Sequence, residues 1–529
     1  MIPASRRFVL AAALSAPLAA PAIARAQSAG RTLRFIPQGS LANIDPVSTT
    51  TLARNHALLV YDTLFGLGRD FQPKPQMAAG YEVSGDGLTV TIRLRPDLRF
   101  HDGAPVRAAD CVASIARWSK RDVLGSHLAQ LAEEMVAIAD DGFRIRLKKP
   151  WPGLIWALGK PSAGICAIMP ERVAQTDPFQ QITDYTGSGP FRFRGDQWVP
   201  GSLAAYERFN GYVAREEPAD FLAGGKAVHF DRVEWRVMPD AAAAAAALQN
   251  NEADWWEAPL ADSLPALRRN RDIAVEVVNT AGSLAMLRFN HLHPPFDKAE
   301  VRRALLPALD QRAFMLAAMG EDPASWQVPA GAFTPGTPLA NEAGLEAVTT
   351  PRDLEAAKQA LRASGYNGRR VVMLAPTDFP NLAAMSQVAA ELLRQVGFTV
   401  DLQAMDWATL VQRRARREAP EQGGWNLFCT TFEGLDVAVP GSHQALRGNG
   451  ASGWFGWPTS PRREALREAW FDAPDLAAQR RIAEDLQRLV WEEAPFLPLG
   501  LLRPAQAYRR SLSGILAGGP PLFWGVRRG

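Results

Sequence analysis

Two hydrophobic periods alternate along this chain, and the change between them is sharpest from 89 to 118. Val90, Ile92 and Leu94 alternate with Thr91, Arg93 and Arg95, the two-residue period of a half-buried strand. Pro96-Asp97 ends that run, and His101-Asp102-Gly103 makes a turn where glycine can take positive φ. From Ala108 the period lengthens: Ala108, Cys111, Ile115 and Trp118 share one helical face. The same reading predicts a first strand over 31–37, a loop over 39–46, a helix over 54–64 and a hairpin over 136–147. Farther on it predicts a strand over 233–237 and an alanine-rich helix over 241–248, with Asp240 as its N-cap. Asp297 is expected to cap a helix whose Val301, Leu305 and Ala308 form an apolar stripe. Helices over 352–364, 381–396 and 407–417 then alternate with strands over 370–375, 398–403 and 425–429. A helix over 475–493 and a strand over 496–501 follow. Such alternation signals an α/β layer with parallel pairing, and no internal repeat interrupts it.

The 529 residues suffice for two or three domains, and 47% hydrophobic with 21% charged residues is a globular composition. Formal net charge is +3, but Arg6, Arg7 and Arg25 fall in the first 26 residues, which hold no acid. Without that segment 55 basic residues face 55 acidic ones. This balance speaks against a nucleic-acid or membrane-surface partner. The segment itself reads as an export signal. Twin arginines before Phe8-Val9-Leu10 resemble a Tat signal, and Ala24-Arg25-Ala26 offers a cleavage site, with Gln27 as the mature start. A Sec signal that carries two arginines is the alternative. Three cysteines, Cys111, Cys166 and Cys429, leave at least one thiol unpaired, and all three sit in apolar surroundings as small hydrophobes.

Several motifs follow one another in a familiar order. The strand ending Leu94-Arg95 leads to Phe100-His101-Asp102-Gly103, Pro105 and Ala108-Ala109-Asp110. Before it stand Ile44-Asp45-Pro46 and Val60-Tyr61-Asp62-Thr63-Leu64. After it come Gly187-Ser188-Gly189-Pro190-Phe191, Arg208-Phe209-Asn210-Gly211-Tyr212, and Phe289-Asn290 with Pro295-Phe296-Asp297 and Val301-Arg302-Arg303-Ala304-Leu305. Over 44–524 this resembles the family 5 extracellular solute-binding proteins, the oligopeptide-, dipeptide- and nickel-binding receptors of ATP-binding-cassette importers. The resemblance implies a two-lobed α/β periplasmic binding protein of the Venus-flytrap type with an extra third domain. It implies domain I over 27–60, 185–278 and 488–529, domain II over 61–184 and domain III over 279–487. Chain crossings near Thr280 and Arg488 would form the hinge. The glycines of 187–189 read as permitting close backbone crossing; a phosphate loop is excluded, since no Gly-Lys-Ser/Thr ending follows.

The resemblance also directs attention to a ligand site. Ser40 and Leu41 lie in the loop that lines the cavity in the family. The stretch after the strand over 425–429 should reach the strand's C-terminal end, where open α/β sheets bind ligands. Peptide-binding relatives place there an Asp that pairs with the ligand's ammonium; Glu433 or Asp436 would be its counterpart, although Asp436-Val437 stands where Asp-Pro is usual. Trp425 and Phe432 would add apolar walls. The expected ligand is a short peptide or peptide-like solute, the expected partner a membrane permease, and the protein a monomer without cofactor or catalysis. A nickel or other non-peptide solute is the alternative within the family. His291-x-His293 could lie on one face but needs a third ligand. Outside the family, an exported hydrolase lacks Gly-x-Ser-x-Gly, Ser-x-x-Lys and His-Glu-x-x-His, and a periplasmic chaperone remains as a third class.

Overall fold

The computed structural model describes residues 31–48 and 50–529; the expected signal segment, 1–26, and the mature start at Gln27 lie outside them. Three sheets organise the chain. The first has seven strands, in the order Phe191–Phe193, Leu203–Arg208, Arg232–Arg236, Thr32–Ile36, Trp255–Trp256, Gln506–Arg509 and Ile273–Glu276. Its centre is parallel: Thr32–Ile36 runs alongside both Arg232–Arg236 and Trp255–Trp256. The second has six strands, in the order Trp326–Gln327, Phe496–Leu502, Ser283–Phe289, Leu427–Glu433, Arg370–Pro376 and Thr399–Met405. Arg370–Pro376 pairs in parallel with both Thr399–Met405 and Leu427–Glu433, as the helix–strand alternation implied. The third is an antiparallel sheet of Ala78–Val83, Thr89–Leu94, Gly142–Leu147 and Ala132–Ala139.

The strand–turn–helix unit forms as its periodicity indicates. Thr89–Leu94 buries Val90, Ile92 and Leu94, and the helix Ala108–Ser119 buries Ala108, Cys111, Ile115 and Trp118. Its turn is tied to the glycine motif. Gly187 donates its N–H to His101 Nδ1 (3.1 Å), and His101 Nε2 donates to the Gly189 carbonyl (3.0 Å). Burial lowers the His101 pKa to about 4, which keeps the ring neutral and preserves Nδ1 as an acceptor. The glycines do allow close crossing: a Cβ on Gly187 would run into the Val60 carbonyl, and one on Gly189 would meet the Leu59 oxygen at 2.8 Å. Asp45 from the Ile-Asp-Pro motif takes both ends of the Arg117 guanidinium, at 2.8 and 2.7 Å, with both side chains buried.

Several expectations need correction. The helix expected over 54–64 is Thr51–Val60, capped by Thr50; Tyr61 is already extended, and Asp62 turns into a buried pair with Lys226 (2.7 Å). Asp297 caps no helix. The helix is Ala299–Arg303 behind Lys298, and Pro307 converts the continuation to the 3-10 turn Leu306–Ala308. The expected strand over 425–429 is Leu427–Glu433, because Thr430–Glu433 continue the ladder against Ser283–Met286. The crossing expected near Arg488 falls later. Strand Phe496–Leu502 pairs antiparallel with Ser283–Arg288, inside the second sheet, and the chain rejoins the first only at Gln506. Segments 277–282 and 503–505 therefore carry the chain between the two large sheets. Cys111, Cys166 and Cys429 are each buried and unpaired. Among the described residues no helix is long and apolar enough to cross a membrane.

Candidate ligand-binding site

The parallel strands of both large sheets end at one cavity of about 940 Å³. Pro37, Gln38 and Gly39 follow the end of Thr32–Ile36, and Val237 to Pro239 follow Arg232–Arg236. Asp378 and Phe379 follow Arg370–Pro376, and Trp407 follows Thr399–Met405. This is the C-terminal edge where open α/β sheets present loops to ligands. A third wall comes from Arg121 to Leu124 and from Lys160, Ser162 and Ala163 on the side of the antiparallel sheet. The returning segment supplies Pro504 and Ala505.

Of the residues singled out in the sequence, Phe432 and Asp436 line this cavity. Asp436 sits just past the strand end and accepts the N–H of Ala163 through Oδ1 at 2.9 Å, a bond across the cavity between its opposite walls. Glu433 is not in the lining. It faces Arg54 (3.9 Å), and burial pushes its carboxyl pKa up against the pull of that guanidinium. Glu257, also buried, lies in the same group; it accepts the Gln38 N–H (2.8 Å), and burial raises its pKa to about 7. Glu433 thus links the end of strand Leu427–Glu433 to the helix Thr51–Val60.

Trp425, Ser40 and Leu41 lie outside the lining of this cavity. Trp425 is fully buried, packed on Phe428 and Trp457, with Nε1 donating to the Arg414 carbonyl (3.1 Å). Ser40 accepts the Gly201 N–H through Oγ (2.7 Å), and the Leu41 carbonyl accepts Trp198 Nε1 (3.3 Å). They fasten the loop to the first sheet's hairpin, while the neighbouring Pro37 to Gly39 reach the cavity. His291 and His293 engage separate carbonyls, Pro495 (3.2 Å) and Arg417 (2.7 Å); among the described residues no group of three or more His, Cys, Asp or Glu could hold a metal.

The lining is charge-balanced: Arg121, Lys160 and Arg414 face Asp122, Asp378 and Asp436. Lys160 and Asp122 are buried and pair at 2.5 Å. Arg121 gives its guanidinium to the Pro178 carbonyl (3.0 Å) and lies over Phe179. An aromatic wall joins Phe432 to Trp454 at 4.9 Å between centroids and Phe379 to Trp407 at 5.0 Å. Arg414, between those two pairs, was not legible from the sequence. Trp407 and Arg414 are seven residues apart on one helix face, but Trp454 and Phe455 join them from a distant loop. Outside the cavity the walls also touch: His127 stacks on Phe471 (3.9 Å between centroids) and Lys149 pairs with Asp472 (2.7 Å).

Two lobes that close on a cavity lined by the carboxyl ends of their strands define a solute receptor of the two-lobed periplasmic type. The comparisons agree. Residues 72–431 match the family model described as bacterial extracellular solute-binding proteins, family 5 Middle. A probable peptide ABC transporter periplasmic-binding protein of Sinorhizobium fredii is 37% identical over 99% of both chains. A glutathione-binding protein of Pectobacterium atrosepticum is 26% identical over 98% of this chain and 97% of its own. The fold matches the agropinic acid-bound periplasmic binding protein AgaA of A. tumefaciens with a TM-score of 0.75, at 22% identity, over 94% of this chain and 99% of that one. This chain belongs to the family 5 extracellular solute-binding proteins, and it is a transport receptor of ATP-binding-cassette importers rather than an enzyme. Its place of action is outside the cytoplasmic membrane, as for the family.

Proposed function

We propose that this protein captures a short peptide or peptide-like amphoteric solute in the periplasm and hands it to a membrane permease. The observation that carries the reading is Asp436, a carboxylate at a strand end that lines the cavity while one of its oxygens ties the opposite wall. A peptide's ammonium loses hydration on entering such a cavity and needs a charge partner; Asp436 is that partner. The balanced lining suits a solute carrying both charges, and the names of the relatives from S. fredii and P. atrosepticum point to peptide and glutathione cargo. Segments 277–282 and 503–505 act as the hinge, and closure of the lobes signals occupancy. The domain assignment becomes I over 27–60, 185–278 and 503–529, II over 61–184 and III over 279–502. The protein works as a monomer and leaves by the Tat route, with Arg6 and Arg7 as its signal. Arg6→Lys with Arg7→Lys should abolish periplasmic accumulation; normal yield would assign export to Sec. For the cargo, purified protein is mixed with di- to pentapeptides and the retained fraction read by mass spectrometry. Selective retention of intact peptides supports the reading, and retention of none removes it.

A further inference from the structure

The walls that meet outside the cavity do so through rings and charges that take no part in its lining. On the side of the antiparallel sheet, helix Val123–Leu131 presents His127, and the segment after strand Gly142–Leu147 presents Lys149 and Trp151. On the side of the second sheet, helix Pro461–Phe471 ends in Trp470 and Phe471, with Asp472 next. The His127 ring lies flat on Phe471, 3.9 Å between centroids and 13° between planes. Trp151 meets those two rings edge-on, at 4.9 and 6.1 Å. Lys149 Nζ donates to both oxygens of Asp472, at 2.7 and 3.0 Å. Arg467, one turn before Phe471, lies over that ring and donates to the Gly441 carbonyl (3.1 Å). Gly441 permits the close approach: a Cβ there would stand 2.6 Å from Leu124 and 2.9 Å from Trp470. Leu124, Leu128 and Trp151 thereby share one buried apolar core with Val439, Trp470 and Phe471. Of all these residues only Leu124 lines the cavity.

We infer that the contact of His127, Lys149 and Trp151 with Phe471 and Asp472 is an interlobe clasp, which holds the lobes closed from outside the cavity and sets how firmly every solute is retained. This rests on the lobes closing over the cavity, as in the proposed function, and on no property of the solute. Separating the lobes exposes the faces of His127, Trp151 and Phe471, which are almost fully buried together; closing them recovers that apolar area and the ring contacts. His127 stacks as a neutral ring: burial lowers its pKa to about 4, Lys149 and Arg467 add to the shift, and Asp472 opposes it. Its Nε2 is buried with no hydrogen-bond partner, so closure costs that atom its water. Lys149 and Asp472 are about half exposed, so their pair adds less than the rings and is screened by salt. A contact made only when the lobes are closed slows opening, and a solute can leave only through opening. Its effect is therefore one factor common to all solutes, whereas a contact inside the cavity discriminates between them.

The experiment reads the rate of solute release by stopped flow. The probes are the peptides retained from a di- to pentapeptide mixture or, if none is retained, the solutes released from periplasm-purified protein, so the clasp is judged even where the peptide reading falls. His127→Ala should speed release of every probe by the same factor, roughly 2- to 12-fold for a lost ring pair. His127→Phe keeps the ring, removes the unpaired nitrogen and should slow release by about threefold or more. Lys149→Glu and Asp472→Lys should each speed release roughly 2- to 5-fold at low salt, and the two together should return it to the wild-type rate. A merely structural role for these side chains produces neither the slower release nor the rescue. The charged pair is half exposed, so its variants decide alone if those at His127 do not fold. Unchanged release in the single variants, a factor that differs from one solute to the next, or a double charge exchange no nearer wild type than its parents overturns the inference. If no solute is found at all, the same variants are read solute-free by small-angle X-ray scattering. A larger radius of gyration in His127→Ala or Lys149→Glu, reversed in the double exchange for the latter, supports the clasp, and an unchanged one overturns it.

Discussion

Replacing Asp436 by Asn separates two roles that meet at one side chain. Its Oδ1 accepts the Ala163 N–H at 2.9 Å, and Asn can keep that bond through its own carbonyl oxygen. The tie between the walls should therefore survive, and the melting midpoint should move little. What is lost is the charge offered to an ammonium. A hydrogen bond to a charged group contributes about 1.5–3 kcal/mol, so Kd should rise roughly 10- to 150-fold. Glu433→Gln makes the internal comparison. Its carboxylate is directed at Arg54, 3.9 Å away, and stays out of the cavity lining; binding should change by less than about threefold, well under 1.4 kcal/mol. Calorimetry with the peptide best retained from a di- to pentapeptide mixture reads both. Wild-type affinity in Asp436→Asn, or an equal loss in Glu433→Gln, would refute the assignment of the ammonium partner.

Three further outcomes concern stability. The neutral form of His101 is favoured in the fold, where its pKa is lowered to about 4 from 6.5. Its contribution is thus complete above about pH 6.5 and is lost as pH falls through about 4, at most about 3 kcal/mol at 1.36 kcal/mol per unit; urea midpoints at stepped pH should fall less steeply in His101→Gln than in wild type. Gly187→Ala should cost about 1–3 kcal/mol by overpacking against the Val60 carbonyl, and an unchanged denaturation midpoint would contradict the close crossing. Asp45→Asn should cost about 3–5 kcal/mol because Arg117 remains buried with its charge unmatched, again read by urea unfolding.

Local pattern carried much of the fold into view. Val90, Ile92 and Leu94 needed only their own alternation to declare a strand, and Ala108 to Trp118 only a helical face. What escaped was set by distant partners. Thr430 to Glu433 remain in a strand because Ser283 to Met286 pair with them, and nothing local marks that register. The strand Phe496–Leu502 joins the second sheet because Ser283–Phe289 accepts it there. In the site, the resemblance directed attention to the acids after this strand, but local pattern does not separate Glu433 from Asp436; only the fold shows that Asp436 lines the cavity. Trp425 reads equally well as wall or core until Phe428 and Trp457 are seen around it. Arg414 stayed hidden because its cage is assembled from a helix and a loop some forty residues apart.

The central claim is that the cavity between the lobes holds a transported solute. Native mass spectrometry of protein purified from the periplasm, followed by denaturation and identification of what is released, tests it most directly. The account predicts one small solute per chain, peptide-like, with an ammonium and a carboxylate, released intact and markedly depleted from Asp436→Asn. Protein that carries no solute and retains none from a peptide mixture, or that carries one at undiminished occupancy in Asp436→Asn, would contradict it.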